Sequence, residues 1–192
     1  MRTSEVDILL VPDWTGAGPD HWQSRWERSL STARIISQGD FDTPRKDDWV
    51  GRIVEAVRKA RRPVVLVAHS CGVAAVAHAA PFLAGLDVAG AYLVAPADLE
   101  QTEDWPVARG DFTPMPLDRL PFPAVLVASS SDPYCSMERA RTFADAWGAT
   151  LVPAGDAGHI DAASGHGPWP EGLMRFGLFL SRLGPAKRKL DS

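Results

Sequence analysis

The stretch that most constrains this chain is "VVLVAHSCGVAAVAHAA", Val64 to Ala80. Its opening aliphatics run without alternation, as in a strand buried on both faces of a parallel sheet covered by helices. The run stops at His69, Ser70 and Cys71, and an alanine-rich helical segment starts at once. A chain needing only a core has no use for three polar or reactive side chains at that junction. Open parallel sheets bind ligands beyond the carboxyl ends of their strands, and this junction is such an end. Its spacing is close to G-x-S-x-G, with Ser70 central, Gly72 two residues on and Ala68 in place of the first glycine. A serine at that point occupies a sharp turn whose backbone strain is worth about 1–3 kcal/mol. The helix that follows presents unpaired N–H groups and a positive dipole end to a nearby anion. The flanking positions must be small because strand and helix pack closely there.

The rest of the chain repeats the strand–helix alternation. "VDILLV", "ARIIS", "VAGAYLVAP", "AVLVASS" and "ATLVPAG" read as further strands. "HWQSRWERSL" reads as a helix, with Trp22, Trp26 and Leu30 four residues apart and Asp20 as its cap. "DDWVGRIVEAVRKA" places Trp49, Ile53, Val54 and Val57 on one helical face. "MERARTFADAWG" ends at Gly148, and "WPEGLMRFGLFLSRL" opens with Pro170 near its start. The alternation predicts an α/β fold, a mostly parallel sheet with helices on both faces. The proline-rich segment from Pro96 to Pro123 reads as a long loop or small cover rather than a large cap. Its Trp105, Phe112 and Met115 are candidates to wall an acyl pocket, or to pack within the loop. Without a large cap, an open and shallow site is expected.

A chain of 192 residues fits one domain. A domain of that size buries roughly 70% of its unfolded surface, so it needs no metal or disulfide to hold a core. Residues 184–192 read as a frayed tail. The net charge of −4 gives no electrostatic argument for nucleic acid. No apolar run approaches a membrane span, and the first residues make a poor signal peptide. Cys71 and Cys135 have neither metal-ligand spacing nor the number for a disulfide framework, so a reducing, cytoplasmic setting is expected. No feature of the chain indicates a protein partner.

A serine nucleophile needs a base, and the base needs an orienting acid. Asp132 follows the strand "AVLVASS", and His159 follows "ATLVPAG". All three groups leave the same edge of the sheet in the order serine, acid, histidine. Asp98, past an earlier strand, is the alternative acid, and His166 the rival base. Asp156 and Asp161 stand too near His159 in sequence to reach its distal ring nitrogen. His69 should point away from the serine, His78 reads as a packing histidine, and His21 as helix packing or cleft lining. Cys71 reads as a backbone donor to an oxyanion, its side chain turned into the packing. The second donor is expected from the glycine-rich loop "PDWTGAG", at Trp14.

"GPDHWQSRWE", "LVAHSCG", "ASSSDPYCSMERA" and "GHIDAASGHGPWPEG" together resemble the small single-domain serine hydrolases typified by retinoblastoma-binding protein nine. The resemblance runs from about Val6 to Leu183. It implies a minimal α/β-hydrolase fold with Ser70, Asp132 and His159 as the triad. Members usually carry "HSLG" at the elbow, so Cys71 is a departure that leaves the backbone donor role intact. The expected activity is hydrolysis of a small-molecule carboxylic ester through an acyl-enzyme, with no metal or organic cofactor. Thioesterase and amidase activity use the same machinery, and a binding protein on a hydrolase scaffold is the alternative of another class.

Overall fold

A computed structural model describes residues 1–101 and 111–184 of the chain. After a short 3-10 turn at Thr3–Glu5 come β1 (Asp7–Val11), α1 (Trp22–Ser29), β2 (Ala33–Ile35) and α2 (Lys46–Arg58). Then follow β3 (Val64–Ser70), α3 (Cys71–Leu83), β4 (Val88–Pro96), β5 (Ala124–Ala128), α4 (Met137–Trp147), β6 (Thr150–Pro153) and α5 (Pro170–Arg182). The strands form one six-stranded sheet in the order β2-β1-β3-β4-β5-β6, and every neighbouring pair is parallel. Each strand and helix expected from the sequence is present. The 3-10 turn is additional.

Period-two alternation along the strands sends their side chains into two separate cores. Leu9, Leu66, Leu93 and Leu126 pack with residues of α2, α3 and α4 on one face. Ile8, Leu10, Val65, Val67, Tyr92 and Val127 pack with α1 and α5 on the other. β3 is buried at all seven positions, which is why its sequence shows no polar alternation.

The helix ends follow local chemistry. Gly148 closes α4 in the left-handed conformation, φ 67°. Pro170 stands in the first turn of α5, where its missing N–H leaves no gap. The cap of α1 differs from the expectation: His21, not Asp20, is the N-cap, and its Nδ1 accepts from the Gln23 amide at 3.2 Å. His21 has the extended backbone of a cap, φ −65° and ψ 146°. Asp20 stands one residue too early and pairs instead with Arg25 at 3.1 Å.

Candidate active site

Ser70 ends β3 with φ 54° and ψ −120°, and α3 begins at the next residue. A non-glycine residue in that conformation is strained, and the surrounding packing enforces it. A Cβ on Gly72 would lie 2.4 Å from the Val11 carbonyl oxygen and 2.7 Å from that of Pro12. Only a bare glycine lets α3 press this closely on the end of β1. Ala68, on the other side of the serine, is fully buried.

The Ser70 hydroxyl lies 2.9 Å from His159 Nε2. His159 Nδ1 lies 2.9 and 3.0 Å from the two oxygens of Asp132. The carboxylate, an acceptor only, accepts a hydrogen bond from Nδ1–H, so Nε2 presents its lone pair to the serine hydroxyl. The Asp132 side chain is 1% exposed and that of His159 5%. β6 is three strands from β3, about 14 Å at the usual strand spacing, so the loop after β6 must fold back across the strand ends to bring His159 over Ser70.

Two serines tie that loop to the one bearing Asp132. Ser129 Oγ accepts from the Ala157 amide at 3.0 Å and donates to the Gly155 carbonyl at 3.2 Å. Ser131 Oγ accepts from the Gly158 amide at 3.0 Å. The Tyr134 amide donates to Asp132 Oδ1 at 2.9 Å, and the Tyr134 ring stands edge-on to His159, centroids 4.6 Å apart. From beneath, His69 Nε2 donates to the His159 carbonyl and Trp22 Nε1 to the Ile160 carbonyl, both at 2.9 Å. His69 thus points away from the serine hydroxyl, as expected, and braces the backbone of His159. Burial pushes the His69 pKa down to about 4 and that of His21 to about 3, so both rings are neutral at neutral pH.

The amides of Trp14 and Cys71 converge on a single point. Both donate to Asp13 Oδ1, at 2.6 and 3.3 Å. The other Asp13 oxygen is 4.0 Å from His159 Nε2. Asp13, Trp14, Cys71, Ser70 and His159 therefore border one small space. Asp13, Tyr134 and the serine ties were not singled out from the sequence. "VPDW" carries no signal for a carboxylate turning back onto its own loop, because the second amide comes from 58 positions away.

The alternatives lie elsewhere. Asp98 pairs with Arg139 at 3.1 Å, and Arg139 also pairs with Glu100. His166 Nδ1 is 3.4 Å from Ser164 Oγ, and the same hydroxyl binds Asp161 at 2.8 Å. His78 Nε2 donates to the Phe112 carbonyl at 2.7 Å. Phe112 and Met115 are buried in the core beside α2 and α3, so the acyl-wall alternative gives way to packing, and Trp105 lies outside the described residues. Cys71 and Cys135 are free and buried. Burial pushes the Cys71 thiol well up and the Cys135 thiol to about 12, so neither is a thiolate at neutral pH.

Ser70 is fully buried. Two hollows lie away from it. One of about 580 Å³ follows β2 and α2, and one of about 650 Å³ lies between α2 and α3 beside Phe82. Among the described residues, Asp13, His69 and His159 form the one group of metal-ligating side chains, with donor atoms within 4.8 Å of one another. His159 Nε2 is already engaged by Ser70, and Asp13 by the two amides.

A parallel sheet covered on both faces, with a serine on a strained turn between strand and helix, defines an α/β-hydrolase. The sequence profile of the family described as Serine hydrolase matches residues 8–177. The crystal structure of a YdeN-like hydrolase from Pectobacterium atrosepticum is similar at 34% identity, covering 95% of each chain with a TM-score of 0.84. The ydeN gene product of Bacillus subtilis is 18% identical over 91% of this chain and 98% of its own, with a TM-score of 0.73. A butyrate-bound esterase of Thermogutta terrifontis shares the fold at 14% identity, covering 96% and 84% of the two chains, with a TM-score of 0.62. No curated protein gives a significant match. The chain belongs to the serine hydrolase family and is an enzyme of that kind. Among the described residues, no helix is long and apolar enough to cross a membrane.

Proposed function

We propose that this single-domain enzyme hydrolyses small carboxylic esters through an acyl-enzyme, with Ser70 as nucleophile, His159 as base and Asp132 as orienting acid. The observation that carries the reading is the unbroken line of hydrogen bonds from Ser70 Oγ through His159 to Asp132. Ser70 attacks the ester carbonyl as its proton passes to His159 Nε2. Asp132 holds the tautomer and stabilises the imidazolium. The negative charge on the former carbonyl oxygen falls to the amides of Trp14 and Cys71, each worth about 3–4 kcal/mol in the transition state. His159 then protonates the leaving alcohol; in the second half it takes a proton from a water that attacks the acyl carbon, and it returns that proton to Ser70 Oγ as the acyl–oxygen bond breaks and the acid leaves. The two buried free thiols favour a reducing, cytoplasmic setting.

Intact-mass measurement with a fluorophosphonate probe tests the reading. One adduct is expected in the wild type and none in Ser70→Ala. Ser70→Ala should also lower ester turnover by about 10³-fold or more. His159→Ala should do the same, with His166→Ala near wild type. No adduct on the folded wild type would favour a binding protein on a hydrolase scaffold. Matched ester, thioester and amide substrates rank the three chemistries.

A further inference from the structure

Asp13 raises a problem that the acyl-enzyme scheme does not solve. Its carboxylate oxygen sits where the two amides meet, at 2.6 Å from one and 3.3 Å from the other. A substrate oxyanion stabilised by those amides needs the same point. Two negative oxygens cannot share it, because they repel and because both would need the same two N–H donors. The carboxylate must therefore leave before an oxyanion forms.

The loop itself is tied down. The Trp14 indole donates to the Asp42 carbonyl at 3.0 Å, and the Thr15 amide to the Phe41 carbonyl at 3.0 Å. The exit is thus a side-chain rotation, and Asp13, 21% exposed, has a route to the surface. Rotated out, the carboxylate places its negative charge beside the site. Asp161 acts on the same cluster of histidines with the same sign. A cation on the substrate is the natural partner for a carboxylate in that position.

We propose that Asp13 is the specificity-determining residue of this site. It holds the anion pocket against uncharged and anionic esters, and it releases the pocket to esters with a cationic group beside the scissile carbonyl, such as an α-ammonium. The proposal rests on the Ser70 acyl-enzyme reading above.

Alanine and isobutyrate p-nitrophenyl esters provide a matched pair, an ammonium replacing a methyl. The quantity measured is the ratio of their kcat/KM values, in wild type, Asp13→Ala and Asp13→Asn. Intrinsic reactivity cancels when ratios are compared between proteins. The ammonium preference is expected to fall about tenfold or more on loss of the charge, with the isobutyrate ester turned over faster in Asp13→Ala than in wild type. Asp13→Asn keeps size and acceptor and should move the same way, which guards against a loop that collapses in the alanine variant. An unchanged ratio in both variants, with the phosphonate still adding to Ser70, overturns the role of Asp13 and leaves the hydrolase reading intact. Absence of the Ser70 adduct in both wild type and Asp13→Ala, where the pocket is free for the uncharged phosphonate, overturns both.

Discussion

Beneath α3 the sheet is covered by small side chains: Ala74, Ala75 and Ala79 are fully buried, and Gly72 meets the backbone of β1. Beneath α1 and α5 the cover is aromatic. Trp22 packs at 4.8 Å from Trp26 and 5.1 Å from Trp169, and Trp26 at 5.3 Å from Phe176. The first region holds Ser70 and the second holds the loop of His159. Ser70 is kept in its strained turn by volume, since nothing larger than hydrogen fits at Gly72. His159 is kept in place by direction, since indole and imidazole N–H groups are aimed at the carbonyls of its loop. Close packing is indifferent to pH and intolerant of added atoms, whereas a polar brace depends on protonation and on keeping each donor.

Acid should attack the aromatic region first. His21 and His69 ionise at about 6.5 when unfolded and at about 3 and about 4 when folded. Below pH 6.5 the unfolded chain takes up protons that the native rings refuse. Their contribution is therefore complete above pH 6.5 and declines as the pH falls towards 4. By pH 5 the two together should remove on the order of 2–4 kcal/mol of stability. Urea midpoints at pH 7.5 and pH 5 measure it, and coincident curves would remove the contrast between the regions.

Volume is the corresponding test of the α3 region. Gly72→Ala places a Cβ at 2.4 Å from the Val11 oxygen, and an overpacking loss of about 2–3 kcal/mol is expected. That loss should be the same at both pH values. A variant within about 0.5 kcal/mol of wild type would mean that strand and helix separate easily there.

A smaller effect separates direction from bulk in the aromatic region. Trp22→Phe keeps a buried ring but leaves the Ile160 carbonyl without its donor, at about 1–2 kcal/mol. Ester turnover should fall with it as the His159 loop loosens. If stability fell while kcat held, Trp22 would serve packing alone. The smallest effect expected is none. Iodoacetamide on the native enzyme should leave turnover unchanged, because both thiols are buried and their pKa values are raised. Rapid inactivation tracking one alkylated cysteine would show that the elbow opens.

Much of this was legible in local patterns. Aliphatic runs marked β3 and β4, the junction at Ser70 marked the elbow, and the positions of Asp132 and His159 after successive strands marked the triad candidates. The α1 cap was misplaced by one residue, because Asp20 and His21 both carry acceptors and only the backbone angles choose between them. Phe112 and Met115 read equally well as pocket wall or core, since an apolar side chain in a loop does not specify which surface it covers. Asp13 was invisible for a different reason. Its partner amide arrives from another strand end, and no pattern within "VPDW" encodes that approach.

Chain order alone determined which residue types leave the carboxyl edge of the sheet and in what sequence, because strand and helix periods are properties of near neighbours. Only the tertiary structure decided that the loop after β6 reaches back over β3, that Ser70 is covered, and that a carboxylate lies on the paired amides. Those outcomes depend on the side-by-side order of the strands and on contacts between distant segments, where the energies of many small alternatives compete at once.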